Sequence, residues 1–237
     1  MVRLLLSVFI FIAGQISSYC QEQNEEKILF SEALSLHLDK YEKKAKAAYR
    51  YRDYNRGEFL FDSLVKYGLR GTYMDDFKFY GLNRKPIEIK KFKKPIYFIT
   101  YASWCVTPKG EIPALNELAK KYHKEIDFVI LFWDTRKTTK RAAKPYNKYI
   151  NILYVDELKN RDAFVVKNLK HSLGLPTTFL LDKDKKILDI RRGETHSYNK
   201  TLKESLNINF NSILDGIANH LLGEKHQDQN PSPVAVN

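Results

Sequence analysis

Apolar residues recur at three- and four-residue steps near the start of the chain. Phe30, Leu34, Leu38, Tyr41, Ala45 and Ala48 fall on one side of a helical wheel, with most of the basic residues between them. The spacing predicts helix within 26–68, including a second short piece, EFLFDSLVKYG (58–68), that ends at Gly68. Such a stripe serves either as a layer packed on a larger domain or as a partner-binding appendage.

From Gly71 the pattern changes. DDFKFYGLNRKPIEI (75–89) suggests short extended pieces, and PIYFITYA (95–102), IDFVILFW (126–133) and INILYVD (150–156) are apolar, β-rich runs of buried-strand length. Helical stretches at 111–123, at 137–149 with a break near Pro145, and at 157–170 alternate with them. TTFLLD (177–182) and KILDIRR (186–192), joined by a Lys183-Asp184-Lys185 turn, make an antiparallel pair, and a last helix covers 201–223. The implied class is α/β: a mixed central sheet flanked by helices, preceded by an amino-terminal helical extension.

The amino end is of another kind. Arg3 is followed by LLLSVFIFIAG (4–14), too short to span a bilayer comfortably, and then by small residues at Ser18 and Cys20. This is the pattern of a secretory signal peptide over 1–20. Two alternatives stand beside it: Cys20 as a lipid-bearing cysteine, disfavoured by bulky Tyr19, and an uncleaved anchor. The remaining chain divides into a helical segment (21–70), a main domain (71–222) and a polar, Pro-containing tail (223–237) read as disordered. No other run is long enough to cross a membrane, so the reading is of an exported protein with no stable span after cleavage. Cleavage after Cys20 leaves one cysteine, Cys105, and one thiol cannot build a disulfide framework.

The net charge of +12 changes little. Lysine clusters at 41–52, 87–95 and 119–124 read as a solvated basic surface, because no nucleic-acid-binding signature accompanies them. The six histidines show no paired spacing, so neither a metal nor a cofactor is expected, and there is no phosphate loop or G-x-S-x-G elbow.

What remains is SWCVTPKGEIP (103–113), a Trp-Cys pair after an apolar run. YASWCVTPKGEIPALNELAKKY (101–122) resembles the active-site strand, loop and helix of the exported TlpA-like thiol-disulfide oxidoreductases of the thioredoxin-like superfamily. GLPTTFLLD (174–182) resembles their proline loop and following strand. The resemblance covers about 71–222. It implies bacterial export, with the periplasm as the expected compartment. It also implies that Cys105 is the nucleophile, Glu111 the acid–base residue, Pro113 the helix kink and Pro176 a cis-proline facing the sulfur. Trp104, Leu175, Pro176 and Thr177 are implied to meet the client. Pro108 stands where the family's resolving cysteine belongs, and apolar Ile99 stands where the family often has a proton-transfer residue.

At a strand–helix junction, free backbone N–H groups and the helix dipole favour a thiolate. Pro108, placed in the first helical turn, has no N–H to add, so the thiol pKa is expected to be depressed, though less than in a dithiol site. Three readings remain open. One is monothiol exchange with protein or low-molecular-weight clients, completed by an external reductant. A second is a redox-inactive module that binds extended peptide. The third is a structural or assembly role in which removal of 21–70 leaves thiol chemistry untouched.

Overall fold

A computed structural model describes residues 27–159, 163–192 and 200–222. The signal segment, with Cys20, and the tail lie outside the described residues. The first helix, α1 (Phe30–Arg50), buries Phe30, Leu34, Tyr41, Ala45 and Ala48 of the predicted stripe together with Ala33, and leaves Leu38 partly buried. A tight turn leads to α2 (Tyr54–Leu64), whose first turn is capped by Asp53 accepting from the Arg56 amide at 2.9 Å. The helix does not stop at Gly68. It continues as a wider π-type turn, Val65–Leu69, and the left-handed residue that redirects the chain is Gly71, with φ +87°.

Next come β1 (Lys78–Gly81), β2 (Pro86–Glu88), β3 (Ile96–Tyr101), α3 (Glu111–Tyr122), β4 (Asp127–Phe132), α4 (Arg136–Ala142) and β5 (Ile150–Tyr154). Then α5 (Ala163–Val165) runs on as a wider turn, Val166–His171, into the hairpin β6 (Thr177–Leu181) and β7 (Ile187–Arg192). The last helix, α6 (Leu202–Gly216), continues through Ile217–Leu221. Among the described residues these strands form one seven-stranded sheet, ordered β2-β1-β5-β4-β3-β6-β7. The β3–β4 and β4–β5 pairs are parallel and the others antiparallel, so the sheet is mixed, as expected.

Alternation along each strand sends side chains to two faces. Tyr97, Ile99, Phe128 and Ile130 meet α3 and α6, while Phe98, Val129, Leu131 and Phe179 meet α1, α2 and α5. Phe30 is fully buried with its ring edge-on to Phe179, centroids 5.5 Å apart. The amino-terminal helices are therefore a layer of the main core. Burying each such aromatic stabilises the fold by roughly 2–3 kcal/mol. Residues 30–69 therefore bear on the site, since their loss would strip one face of β3, β4 and β6.

Candidate active site

Sheet register assembles the site. Tyr101 pairs with Phe132 in the parallel β3–β4 ladder, so Ala102–Cys105 and Trp133–Asp134 leave the sheet at the same end. Thr100 pairs with Thr177 in the antiparallel β3–β6 ladder, so Leu175 and Pro176 enter β6 at that end too. The carboxyl ends of parallel strands are where α/β sheets place ligands.

Asp134 pins the first turn of the loop. Its carboxylate accepts from the Ser103 amide at 2.7 Å and from Ser103 Oγ at 2.6 Å. The Cys105 amide donates to the Ala102 carbonyl at 2.9 Å, leaving the half-buried sulfur residue packed against both apolar clusters. Trp104, beside it, is 69% exposed. Leu175 and Pro176 are half-buried, and their peptide bond is cis.

The rest of the loop is fastened to α6. Ser205 Oγ and Asn209 Nδ2 both donate to the Lys109 carbonyl, the latter at 3.4 Å. Gly110 has φ +88°, and a Cβ there would lie 2.6 Å from backbone atoms of Leu206. No side chain fits that approach. Helix α3 starts only at Glu111, whose carboxylate accepts from Tyr101 Oη at 3.1 Å. Glu111 is half-buried with its carboxyl end turned inward. Burial raises its pKa to about 7, against the opposing pull of the Tyr101 hydrogen bond. Burial and the Glu111 charge together push the phenols of Tyr101 and Tyr146 above their ordinary value.

The Redoxin family model matches residues 69–206. The chain belongs to the Redoxin family. Within it, the chain is 31% identical over 125 residues to the thiol-disulfide oxidoreductase ResA of Bacillus thuringiensis subsp. konkukian, an alignment covering 52% of this chain and 70% of that protein. The ResA of Bacillus cereus strain ATCC 10987 gives the same values. Among solved structures, a thiol:disulfide interchange protein from Bacteroides sp. aligns with TM-score 0.49 and 16% identity, covering 67% of this chain and 93% of the other. This Redoxin chain thus shares its family with thiol-disulfide oxidoreductases, the kind of protein that the 101–122 and 174–182 segments resemble.

Four expectations for this Redoxin site are corrected. Cys105 does not sit at the helix start: residues 106–110 separate it from α3, because Pro108 offers no amide and Gly110 takes a left-handed conformation. Pro108 therefore lies in the loop, and only its carbonyl is used, accepting from the Glu111 amide at 3.2 Å. Without the helix dipole, the Cys105 thiol is raised above its ordinary pKa, not depressed. Burial is the main cause and the negative charges of Asp134 and Glu111 add to it, against a hydrogen bond with the Ala102 backbone. Thr177, implied to meet a client, is fully buried, and its hydroxyl donates to the Gly174 carbonyl at 2.9 Å. It braces the proline loop and has no side-chain surface to offer.

Asp134 and Tyr101 are site residues that the sequence reading missed. A carboxylate two places beyond the apolar run of β4 was the available signal for Asp134. No comparable signal marks Tyr101, which reads as one more aromatic in a buried strand. Among the described residues no group of three or more His, Cys, Asp or Glu could hold a metal, and no helix is long and apolar enough to cross a membrane.

Proposed function

We propose that this Redoxin protein is an exported monothiol thiol-disulfide oxidoreductase, with Cys105 as its nucleophile and Glu111 as its proton donor and acceptor. The reading is carried by a half-buried Cys105 leaving β3 at the sheet end where the cis Leu175-Pro176 bond leads into β6, with Glu111, whose pKa burial raises to about 7, on the following helix. A thiol held above its ordinary pKa reacts through a small thiolate fraction, and Glu111, whose charge bears on the sulfur, is the base we assign to its proton.

Cys105 loses its proton and attacks one sulfur of a client disulfide. The S–S bond breaks, the departing sulfur is protonated, and Cys105 is left in a mixed disulfide. With Pro108 in place of a second thiol, an external thiol attacks the Cys105 sulfur and releases the client as a dithiol. A second equivalent of that thiol then frees Cys105, so the client is reduced by two electrons and the external thiol is oxidised to its disulfide. No cofactor is needed. Trp104 and the Leu175-Pro176 edge contact the client, which is a protein or a low-molecular-weight disulfide. Export rests on the 1–20 pattern and the bacterial periplasm on the family resemblance, with 21–70 and 71–222 forming the mature body.

The test is incubation of the mature protein with oxidised glutathione at pH 8, followed by mass spectrometry. An adduct on Cys105 that excess reduced glutathione removes is expected. Absence of the adduct in folded protein, where the unfolded chain forms it, overturns the reading.

The raised thiol and the exposed Trp104 favour a second reading, a module that binds extended peptide without exchange. Peptide affinity that survives Cys105→Ser while no adduct forms selects it.

A further inference from the structure

Arg192 ends β7 and pairs in register with Thr177, the residue after the cis-proline. Its guanidinium joins three parts of the molecule. Nη2 donates to the Leu173 carbonyl, at the head of the proline loop, at 3.2 Å, and to Tyr41 Oη of α1 at 2.8 Å. Nη1 donates to Tyr49 Oη, also of α1, at 3.3 Å. The guanidinium carbon lies 4.0 Å from the ring centroid of Phe61 in α2. Tyr41 and Phe61 are buried and belong to the shared core, so the guanidinium is held on a rigid wall.

We infer that Arg192 is a positioning residue through which the α1–α2 layer sets the Leu173–Pro176 loop for client binding. The Leu173 side chain is anchored in the core and the Thr177 hydroxyl holds the Gly174 carbonyl, while Gly174 between them has φ +81° and open space where a Cβ would sit. Arg192 fixes the backbone carbonyl upstream of that glycine, and its aromatic partners come from helices that precede residues 69–206, the span that the family model matches. A planar fork that donates to two phenols and a carbonyl while stacking on an aromatic ring is a role that lysine cannot fill. An extended peptide pairing with the loop backbone needs the loop in one place, whereas a small disulfide needs only the sulfur.

The inference rests on the proposed exchange for its main readout. Full-length mature protein carrying Arg192→Met, Arg192→Lys or Tyr41→Phe would be compared with wild type on two substrates: a decapeptide joined by a disulfide to glutathione, and 2-hydroxyethyl disulfide. We expect Arg192→Met to lower the ratio of peptide to small-disulfide rate constants about tenfold through a higher half-saturating peptide concentration. Arg192→Lys should not rescue it, and Tyr41→Phe should lower the ratio about threefold. An unchanged ratio in these variants overturns the inference, whatever happens to their melting temperatures. Should Arg192→Met not fold, Tyr41→Phe decides alone, since it deletes one hydroxyl. Should wild type exchange with neither substrate, the thiol reading fails and the positioning role does not. Peptide affinity by fluorescence anisotropy in the Cys105→Ser background then decides, with a tenfold loss on adding Arg192→Met expected and no loss overturning it.

Discussion

Tyr101 Oη donates to Glu111 Oε2 at 3.1 Å, tying the last residue of β3 to the first residue of α3 across the intervening loop. The bond stabilises the carboxylate, yet burial outweighs it and the group holds its proton up to about pH 7. An unfolded glutamate ionises near 4.5. Below that pH the acid is protonated in both states and its contribution to stability is whole. Between there and about 7 the native state binds more protons than the unfolded one, so stability falls as pH rises, and above 7 the loss is complete. Urea unfolding at a series of pH values should show wild type losing on the order of 3 kcal/mol more than Glu111→Gln between pH 4 and pH 8. Parallel pH profiles for the two proteins would contradict the assignment.

The sulfur carries the second expectation. Asp134 and Glu111 each oppose a thiolate at Cys105 by charge, beyond the effect of burial. The midpoint of iodoacetamide labelling against pH should lie above that of the urea-unfolded chain, and Asp134→Asn and Glu111→Gln should each bring it down. A wild-type midpoint below the unfolded one would mean that the loop places its donors otherwise.

The difference between the expected thiol and the observed one measures what the sequence could carry. Strand runs and helix stripes are local patterns, and every strand from β3 to β7 falls inside its predicted run, β3 and β4 because burial on both faces demands unbroken apolar stretches. Cys105, Glu111 and Pro176 stand out only through the resemblance of their two segments to a known family. The helix start is not legible, because it depends on Lys109 and Gly110 being held against α6 nearly a hundred residues later. Asp134 and Arg192 escape for the same reason: their partners are set by strand register, which no single segment encodes.

Ser103 and Asp134 supply a separable test of loop order. Asp134→Ala removes the acceptor of both the Ser103 amide and its hydroxyl, at a cost of about 1–3 kcal/mol. Hydrogen exchange at the Ser103 amide should quicken at least tenfold in that variant. Asp134→Asn keeps an acceptor oxygen and should retain much of the protection while lowering the thiol pKa. Equal exchange rates in Asp134→Ala and wild type would show that the carboxylate does not hold the turn.

Gly110 and Gly174 form a natural pair for separating backbone strain from steric contact. Both have positive φ, +88° and +81°, so alanine at either site meets a similar conformational penalty of roughly 1–2 kcal/mol. Their surroundings differ. A Cβ at 174 meets nothing within 4 Å, whereas one at 110 lies 2.6 Å from the Leu206 backbone and 3.0 Å from the Ser205 carbonyl carbon. Backbone cannot rotate aside as a side chain can, so Gly110→Ala must push the loop off α6 and loosen the Lys109 carbonyl from Ser205 and Asn209. Denaturant unfolding should therefore give Gly110→Ala a loss on the order of 3 kcal/mol or more and Gly174→Ala no more than the strain alone. Gly110→Ala should also expose Cys105, quickening its alkylation at fixed pH. Equal losses in the two variants would remove the close approach to α6 as the reason that residue 110 is glycine.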